Sequence, residues 1–306
     1  MIDLRQLQAL RAVHRTGSVT QAARSLGWSQ PTVDYHLRNL DALIGGALLE
    51  RSSRGSTLTP VGHLVLDRAQ EILTLSDRAL RDAREFTHMG QTRLRFGTFP
   101  TAAARLLPAI AAQLSDLSIE LDAVLEEVGP LITHVNQREL DAALLYSVPG
   151  HELTFRPDIV TTEVLRDPLL LALPEGHPIA SHTSISRETF LTLHSERWLL
   201  GTSLYDPMDA VVVDTFAAAG YTLEVAIRSD DFQAMLGMIA ARMVIGLVAK
   251  LAIGSGHPGV VLRPIDDPNF ARSVLLAAPT EGASRQPSAA VRQLAVAIRN
   301  AVAGLE

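Results

Sequence analysis

The chain has 306 residues, 47% of them hydrophobic, and a formal net charge of −6. That length predicts about two domains, and the lack of any cysteine excludes a disulfide framework, a thiolate zinc site, a thiol nucleophile and a thiol-based redox switch. The acidic average argues against a nucleic-acid partner, yet it conceals an asymmetry. Residues 1–58 carry seven Arg against Asp3, Asp34, Asp41 and Glu50, and the remainder is acidic, so a polyanion is expected to meet the N-terminal segment alone. Met1-Ile2-Asp3-Leu4-Arg5-Gln6 lacks a basic region followed by an apolar one, and no run approaches the roughly 18 to 20 apolar residues that span a bilayer. A cytoplasmic protein with no membrane partner is expected.

In chain order, Leu4, Leu7, Leu10 and Val13 recur at helical spacing and predict a first helix ending near Thr16-Gly17. Ser18 caps a second helix with Val19, Ala22, Ala23 and Leu26 inward, the paired alanines letting another helix cross closely. Gly27-Trp28 makes a turn. Ser29 then caps a third helix that carries Gln30 and Pro31 in its first turn and buries Val33, Leu37 and Leu40. Two helices joined by a short glycine-containing turn, the second with an exposed polar face, make a helix-turn-helix whose second helix enters the major groove. Residues 48–59 read as two short strands around a basic, glycine-bearing tip, a wing whose arginines reach phosphates or the narrow groove.

Thr59-Pro60 opens a long helix whose apolar positions Val61, Val65, Ile72, Leu75, Ala79 and Phe86 run almost to Met89. At roughly 28 residues it is about 40 Å long. A single apolar seam of that length is expected to pair with the same helix of another chain; packing against its own C-terminal domain is the alternative. Beyond Gly90 the texture changes to short strands, at 94–98, 119–125, 142–146, 169–173, 198–200, 223–227, 244–248 and 274–278, mostly separated by helical stretches. This alternation predicts a mostly parallel sheet covered on both faces. The segment exceeds one ordinary α/β lobe, so two lobes with a ligand cleft between them are expected.

Little points to catalysis. No two of the ten histidines fall at the three- or four-residue spacing of a shared helix face, and Asp230-Asp231 is expected to cap the following helix rather than hold a cation. No metal and no cofactor is expected. Gly254-Ser255-Gly256-His257-Pro258-Gly259 matches Gly-x-Gly-x-x-Gly literally but leads into Val260-Val261-Leu262 instead of a helix, so it reads as a loop. The chain has neither a Gly-x-Ser-x-Gly elbow nor a Gly-Lys-Ser/Thr phosphate loop.

In order and spacing, Gly17-Ser18-Val19-Thr20-Gln21-Ala22-Ala23-Arg24-Ser25-Leu26, Ser29-Gln30-Pro31, Leu48-Leu49-Glu50-Arg51 and Leu58-Thr59-Pro60-Val61-Gly62 resemble the head of LysR-type transcription regulators. Leu106-Leu107-Pro108, Glu139-Leu140-Asp141-Ala142-Ala143-Leu144, Arg166-Asp167-Pro168, Leu173-Pro174-Glu175-Gly176-His177-Pro178, Ala218-Ala219-Gly220-Tyr221 and Gly246-Leu247-Val248 resemble its later elements, so the likeness spans nearly the whole chain. The resemblance implies an α/β protein with a mainly α winged helix-turn-helix at 1–58 and a linker and dimerisation helix at 59–89. An effector domain like the two-lobed periplasmic binding proteins would follow at 90–306, with lobe I at about 91–161 and 266–306 and lobe II at about 162–265. It further implies a dimer or dimer of dimers that binds an interrupted palindrome of double-stranded DNA and changes its bending when a small-molecule effector fills the cleft. Asp34 stands where the family usually has a small hydroxyl residue, Leu49 where it has Phe, and Arg138 where a glycine commonly precedes Glu-Leu-Asp. Asp34 can accept from a cytosine amino group and so alter the half-site.

On the third helix Gln30, Thr32, Tyr35 and Arg38 avoid the buried stripe. Gln pairs with adenine and Arg with guanine, while Thr and Tyr suit phosphate or methyl groups; a solvated helix face is the alternative. Ser29, Pro31 and Asp34 complete this set, with Arg51 and Arg54 in the wing, Arg51 being equally suited to a structural ion pair. In the sensing domain Thr101 falls about where the family places an effector-binding hydroxyl, helix capping being the alternative, and Thr98, Phe99 and Pro100 would line the same mouth. Across the cleft Thr202 and Ser203 would donate to the ligand and Tyr205 stack on it, unless they form an ordinary strand-to-helix turn. Gly129, Pro130 and Tyr146 are further rim candidates. Hydroxyl, aromatic and backbone groups at the rim predict a small polar or aromatic effector. Two rival readings remain: a solute-binding or storage protein, which leaves residues 1–89 unexplained, and an enzyme, for which no acid–base pair or nucleophile constellation is present.

Overall fold

A computed structural model describes residues 1–52, 55–89, 92–203, 206–254, 256–280 and 286–305. Arg54 and Tyr205 lie outside the described residues, and Arg51 is described in its backbone alone. The chain divides into two compact units, Met1–Gly90 with Gln137–Glu139 and Gln91–Asn136 with Leu140–Glu306.

In the first unit, Asp3 starts α1 (Leu4–Thr16): its carboxylate accepts the Arg5 N–H at 2.9 Å, and the Asp3 N–H donates to Gln6 Oε1 at 3.0 Å. Leu7, Leu10 and Val13 are buried, but Leu4 is exposed, the first turn being held by its cap. Ser18 caps α2 (Val19–Leu26), and Ser29 caps α3 (Gln30–Ile44), each hydroxyl accepting an N–H three residues on. Ala22 and Ala23 are buried where α2 meets α1 and α3, which anchors itself through Val33, Leu37 and Leu40. Each of those large apolar side chains contributes roughly 1.5–3 kcal/mol over its exposed state.

β1 (Leu49–Ser52) and β2 (Gly55–Leu58) pair antiparallel with Ser52 opposite Gly55. Gly55 has a φ of 135°, and a Cβ there would stand 2.7 Å from the Gly17 carbonyl oxygen. Glycine therefore lets the wing close onto the end of α1, where the Ser56 N–H donates to Gly17 O at 2.9 Å. Thr59 then caps α4 (Pro60–Met89), accepting the Gly62 N–H at 3.0 Å while its own hydroxyl donates to Ala47 O at 2.9 Å. The 30-residue helix has two apolar faces where a single seam was expected. Leu66, Ala69 and Leu73 bury against the head core, whereas Val61, Leu64, Ile72 and Leu75 stay exposed.

The second unit begins with β3 (Thr92–Thr98), α5 (Pro100–Ser115), β4 (Ile119–Leu125), α6 (Val128–Asn136) and β5 (Ala142–Ser147), in which β3 pairs parallel with both β4 and β5. There follow β6 (Ile159–Pro174), α7 (Arg187–Leu191), β7 (Arg197–Leu200), α8 (Pro207–Ala218), β8 (Glu224–Arg228), α9 (Phe232–Ala240), β9 (Gly246–Ala249), β10 (Val260–Pro264), β11 (Ala271–Pro279) and α10 (Ala289–Ala303). One lobe packs α5, α6 and α10 around Phe96, Leu106, Leu144 and Leu294. The other gathers around Phe190, Trp198 and Phe216, with ring centroids 5.1 to 5.8 Å apart.

The expectation of a mostly parallel sheet is overturned. β6 pairs antiparallel with β9, β10 and β11, and β11 antiparallel with β5; the parallel pairs are β3–β4, β3–β5 and β7–β8. β6 carries the chain out of the first lobe and β11 carries it back, so two neighbouring strands run in opposite senses, joined where the Leu169 N–H donates to Phe270 O at 2.9 Å. Local β-α alternation reports the consecutive crossovers and is silent on pairs distant in sequence. Among the described residues of this segment, 254 and 256–259, none is helical, and the chain enters β10 directly, as expected of a loop. Among the described residues no helix is long and apolar enough to cross a membrane.

Candidate functional sites: a polar helix face and an interlobe cavity

With its apolar stripe buried, α3 turns Gln30, Pro31, Tyr35 and Arg38 outward, Tyr35 being 57% exposed. The Thr20 hydroxyl donates to Gln30 Oε1 at 3.0 Å, so the first turn of α2 orients that amide. Arg38 Nε donates to the Asp34 carbonyl oxygen at 3.3 Å, laying the guanidinium along the helix surface. Ser29 is exposed and its hydroxyl lies 2.7 Å from that of Thr32. Thr32 and Asp34 are half-buried, set back from the outermost ridge of Tyr35 and Arg38. His36, unnoticed in the sequence, is buried against Trp28 with ring centroids 5.3 Å apart. A fixed amide, a phenol and a guanidinium on one helix ridge are groups that read base edges and phosphates.

In the second unit a cavity of about 120 Å³ opens between the lobes. One wall is made by Phe99, Pro100 and Thr101 at the start of α5, Tyr146 of β5 and Arg272 of β11; the other includes Gly201, Asp206, Asp209, Asp230 and Phe232. Four sequence candidates, Phe99, Pro100, Thr101 and Tyr146, thus come together. Thr98 instead is buried within β3, and Gly129 and Pro130 are exposed on α6, off this wall. Thr202 and Ser203 are exposed, and the N–H and hydroxyl of Thr202 both donate to Asp230, so Thr202 holds a carboxylate that faces the cavity. Capping does not occupy Thr101: the N-cap of α5 is Phe99, without a side-chain bond, and the Thr101 hydroxyl accepts from Arg272 Nη2 at 3.1 Å. Of the Asp230-Asp231 pair only Asp231 caps α9, accepting the Ala234 N–H at 2.9 Å.

Charged groups missed in the sequence dominate the cavity. Arg272 is buried, its Nε donating to Asp167 Oδ2 at 2.9 Å, and its guanidinium carbon lies 4.8 and 4.6 Å from the ring centroids of Phe99 and Tyr146. The Tyr146 hydroxyl crosses the cleft to donate to Asp206, 3.3 and 3.4 Å from its two oxygens. Asp206 also caps α8, accepting the Met208 N–H at 2.7 Å, and Asp209 accepts the Gly201 N–H at 2.8 Å. Burial, then the charge of Asp206, pushes the Asp209 carboxyl up to about 7, against the Gly201 N–H and Arg228. Partial burial, Asp206 and Asp230 raise Glu127 at the exposed mouth, against Arg272. Burial and Asp206 also hold the Tyr146 phenol well above its ordinary range, so it remains a donor. One signal was legible: Asp206-Pro207 is a helix start, with a capping carboxylate before a first-turn proline. Arg272 inside an apolar strand carried no such mark. Among the described residues no group of three or more His, Cys, Asp or Glu is arranged to hold a metal ion.

A winged helix-turn-helix head, a long helix and a two-lobed α/β domain with an interlobe cavity together define a class of bacterial proteins that join a helix-turn-helix to a substrate-binding domain. The family model "Bacterial regulatory helix-turn-helix protein, lysR family" matches residues 4–63, and "LysR substrate binding domain" matches residues 88–303. The chain belongs to the LysR family. It is 31% identical over 212 residues to the small neutral protease regulatory protein of Streptomyces coelicolor, covering 69% of this chain and 63% of that one. It is 28% identical over 310 residues to the DNA-binding transcriptional dual regulator OxyR of Escherichia coli, covering 97% and 95%. The chain thus spans less than two thirds of the S. coelicolor protein and of a small neutral protease regulatory protein of Streptomyces lividans, at 63% and 60%. A full-length OxyR variant from Pseudomonas aeruginosa superposes with a TM-score of 0.62 at 24% identity, covering 98% of each chain. Full-length CbnR complexed with its target DNA gives 0.62 at 21% identity, covering 98% of this chain and 99% of that one. At these identities the likeness establishes the fold.

Proposed function

We propose that this protein is a cytoplasmic, sequence-specific DNA-binding transcription regulator, not an enzyme, whose promoter binding or bending responds to a small molecule in the interlobe cavity. The observation that carries the reading is α3: its apolar stripe is anchored in the head while Gln30, Tyr35 and Arg38 stand outward, and the same head carries a two-stranded wing. Membership of a family whose models are named for a regulatory helix-turn-helix and a substrate-binding domain supports both halves. The working division is a head at 1–58, a linker helix at 59–89 and an effector domain at 90–306. DNA contact is assigned to Ser29, Gln30, Pro31, Thr32, Asp34, Tyr35, Arg38, Arg51 and Arg54, and effector contact to Phe99, Pro100, Thr101 and Tyr146. The exposed Leu64, Ile72 and Leu75 on α4 supply a face for self-association as a dimer or dimer of dimers.

Fluorescence anisotropy of the full chain with its promoter DNA tests the reading. Binding that is sequence-selective and weakens steeply with salt is expected; equal, weak binding to all duplexes at low salt sinks it.

A further inference from the structure

Resting on the reading of the interlobe cavity as a ligand site, we infer that its ligand is an organic amine, held by its ammonium group among Asp206, Asp209, Asp230 and Glu127 and not by a carboxylate or other anion of its own. The case begins with the charge balance of the wall. Four carboxylates line the cavity, and among its described residues Arg272 is the lining cation. Arg272 is already matched: Asp167 takes its Nε at 2.9 Å, Thr101 its Nη2 at 3.1 Å, and the Phe99 and Tyr146 rings lie against its guanidinium. Arg228, exposed and not among the lining residues, donates to the Gly201 carbonyl oxygen at 2.8 Å and offsets part of the charge at Asp209. An anion entering this space meets negative charge that the wall offsets only in part, whereas a cation relieves it.

Geometry narrows the ligand from any cation to an organic one. The carboxylates are spread along the wall, each pinned by its own partner: Asp206 by the Met208 N–H and Tyr146, Asp209 by the Gly201 N–H, Asp230 by Thr202. No three of them are arranged to coordinate a metal. Between them Phe99, Tyr146, Phe232, Met208 and Met235 give the cavity an aromatic and thioether lining, which accommodates an ammonium on an apolar stem. The opposite end carries the first turn of α5, which no side chain caps, so an amine that also bears an acceptor fills both ends.

Binding must also displace a proton. Asp209 feels Asp206 at the cap of its own helix and Arg228 and Asp230 from β8 and the turn after it, while Glu127 and Arg272 line the same cavity from the other lobe; with its carboxyl at about 7 it is half protonated in neutral solution. Only the ionised form holds an ammonium.

The test uses the full chain and charge-inverted twins: benzylamine against benzoate and 1,4-diaminobutane against succinate, each at millimolar concentration. At least one amine is expected to raise the melting temperature while its twin does not. Its affinity should be about tenfold tighter at pH 8 than at pH 6, as one linked proton with a pKa near 7 requires. Asp209→Asn, which keeps an acceptor for the Gly201 N–H, should remove that pH dependence and weaken the amine at least tenfold, and Glu127→Gln at the mouth should weaken it with the backbone untouched. Stabilisation by the carboxylates alone overturns the amine assignment and leaves ligand sensing standing. Silence of every amine overturns it too, while operator binding by the same sample reports separately on the regulator reading.

Discussion

Asp167 and Arg272 face each other as register partners on β6 and β11, 2.9 Å apart and only 2% and 3% exposed, at the place where the chain passes between the lobes. The pair is fully engaged: Asp167 Oδ1 accepts the Leu251 N–H at 2.9 Å, and Arg272 reaches Thr101 on the cavity wall. A buried pair of this kind contributes little net stability against an apolar substitute, but removing one partner strands the other charge. Asp167→Asn is therefore expected to cost about 3–5 kcal/mol, read as a lowered denaturant midpoint, with Asp167→Leu combined with Arg272→Met costing much less. Equal losses in the single and double variants would refute this account of the crossing.

Across the cavity, Tyr146 and Asp206 join β5 of one lobe to the cap of α8 in the other. Tyr146→Phe keeps the ring against Phe99 and Arg272 and deletes only the hydroxyl, so a loss of about 1 kcal/mol is expected. Amide exchange should rise at the start of α8 if the bond ties the lobes; an unchanged exchange pattern would show that it does not.

Asp209 sets a pH dependence of stability. Its carboxyl lies near 7 in the folded protein against an ordinary 3.8, so between those values the folded state holds a proton that the unfolded chain has lost. Stability from this group must fall as pH rises through that window. Melting temperature recorded from pH 4 to pH 8 should show Asp209→Asn gaining on the natural protein with rising pH, and levelling above pH 7. A constant offset between the two curves would rule out the shifted carboxyl.

Along α4, neighbouring leucine and isoleucine positions should behave oppositely. Leu73 is buried on the head core while Ile72, one residue earlier, is exposed. Leu73→Asp is expected to unfold the head, whereas Ile72→Asp with Leu75→Asp should leave melting near normal and lower the mass measured by light scattering. A mass unchanged by the exposed pair would place self-association elsewhere.

On α3, Arg38→Ala should cost roughly 1–3 kcal/mol on the preferred operator and relax discrimination at one base position. Tyr35→Phe should weaken all duplexes alike if the phenol meets phosphate. Competition binding with single-base operator variants separates the two patterns.

The head was legible because its determinants are local. Ser18 and Ser29 act within three residues of where they stand, and the 3.6-residue recurrence of Val33, Leu37 and Leu40 identifies the anchored side and hence the outward one. The second face of α4 escaped notice because Leu66, Ala69 and Leu73 interleave with the exposed set, and only the position of α1 tells which is covered.

The cavity was half legible for the same reason. Thr101 and Tyr146 flank strand ends that a reader can find, but Thr202 resembles a ligand donor in sequence and in space serves Asp230. By itself the sequence determined the helix-turn-helix, the start of α4, the alternation of strands and helices and the absence of thiol chemistry, all consequences of nearest-neighbour periodicity, capping and composition. Tertiary structure alone decided the antiparallel crossing of β6 and β11, the neutralisation of Arg272 by Asp167 and the gathering of four carboxylates around one cavity. Electrostatic environment depends on distance through space, and residues 105 positions apart become hydrogen-bonded partners only when the strands that carry them are paired.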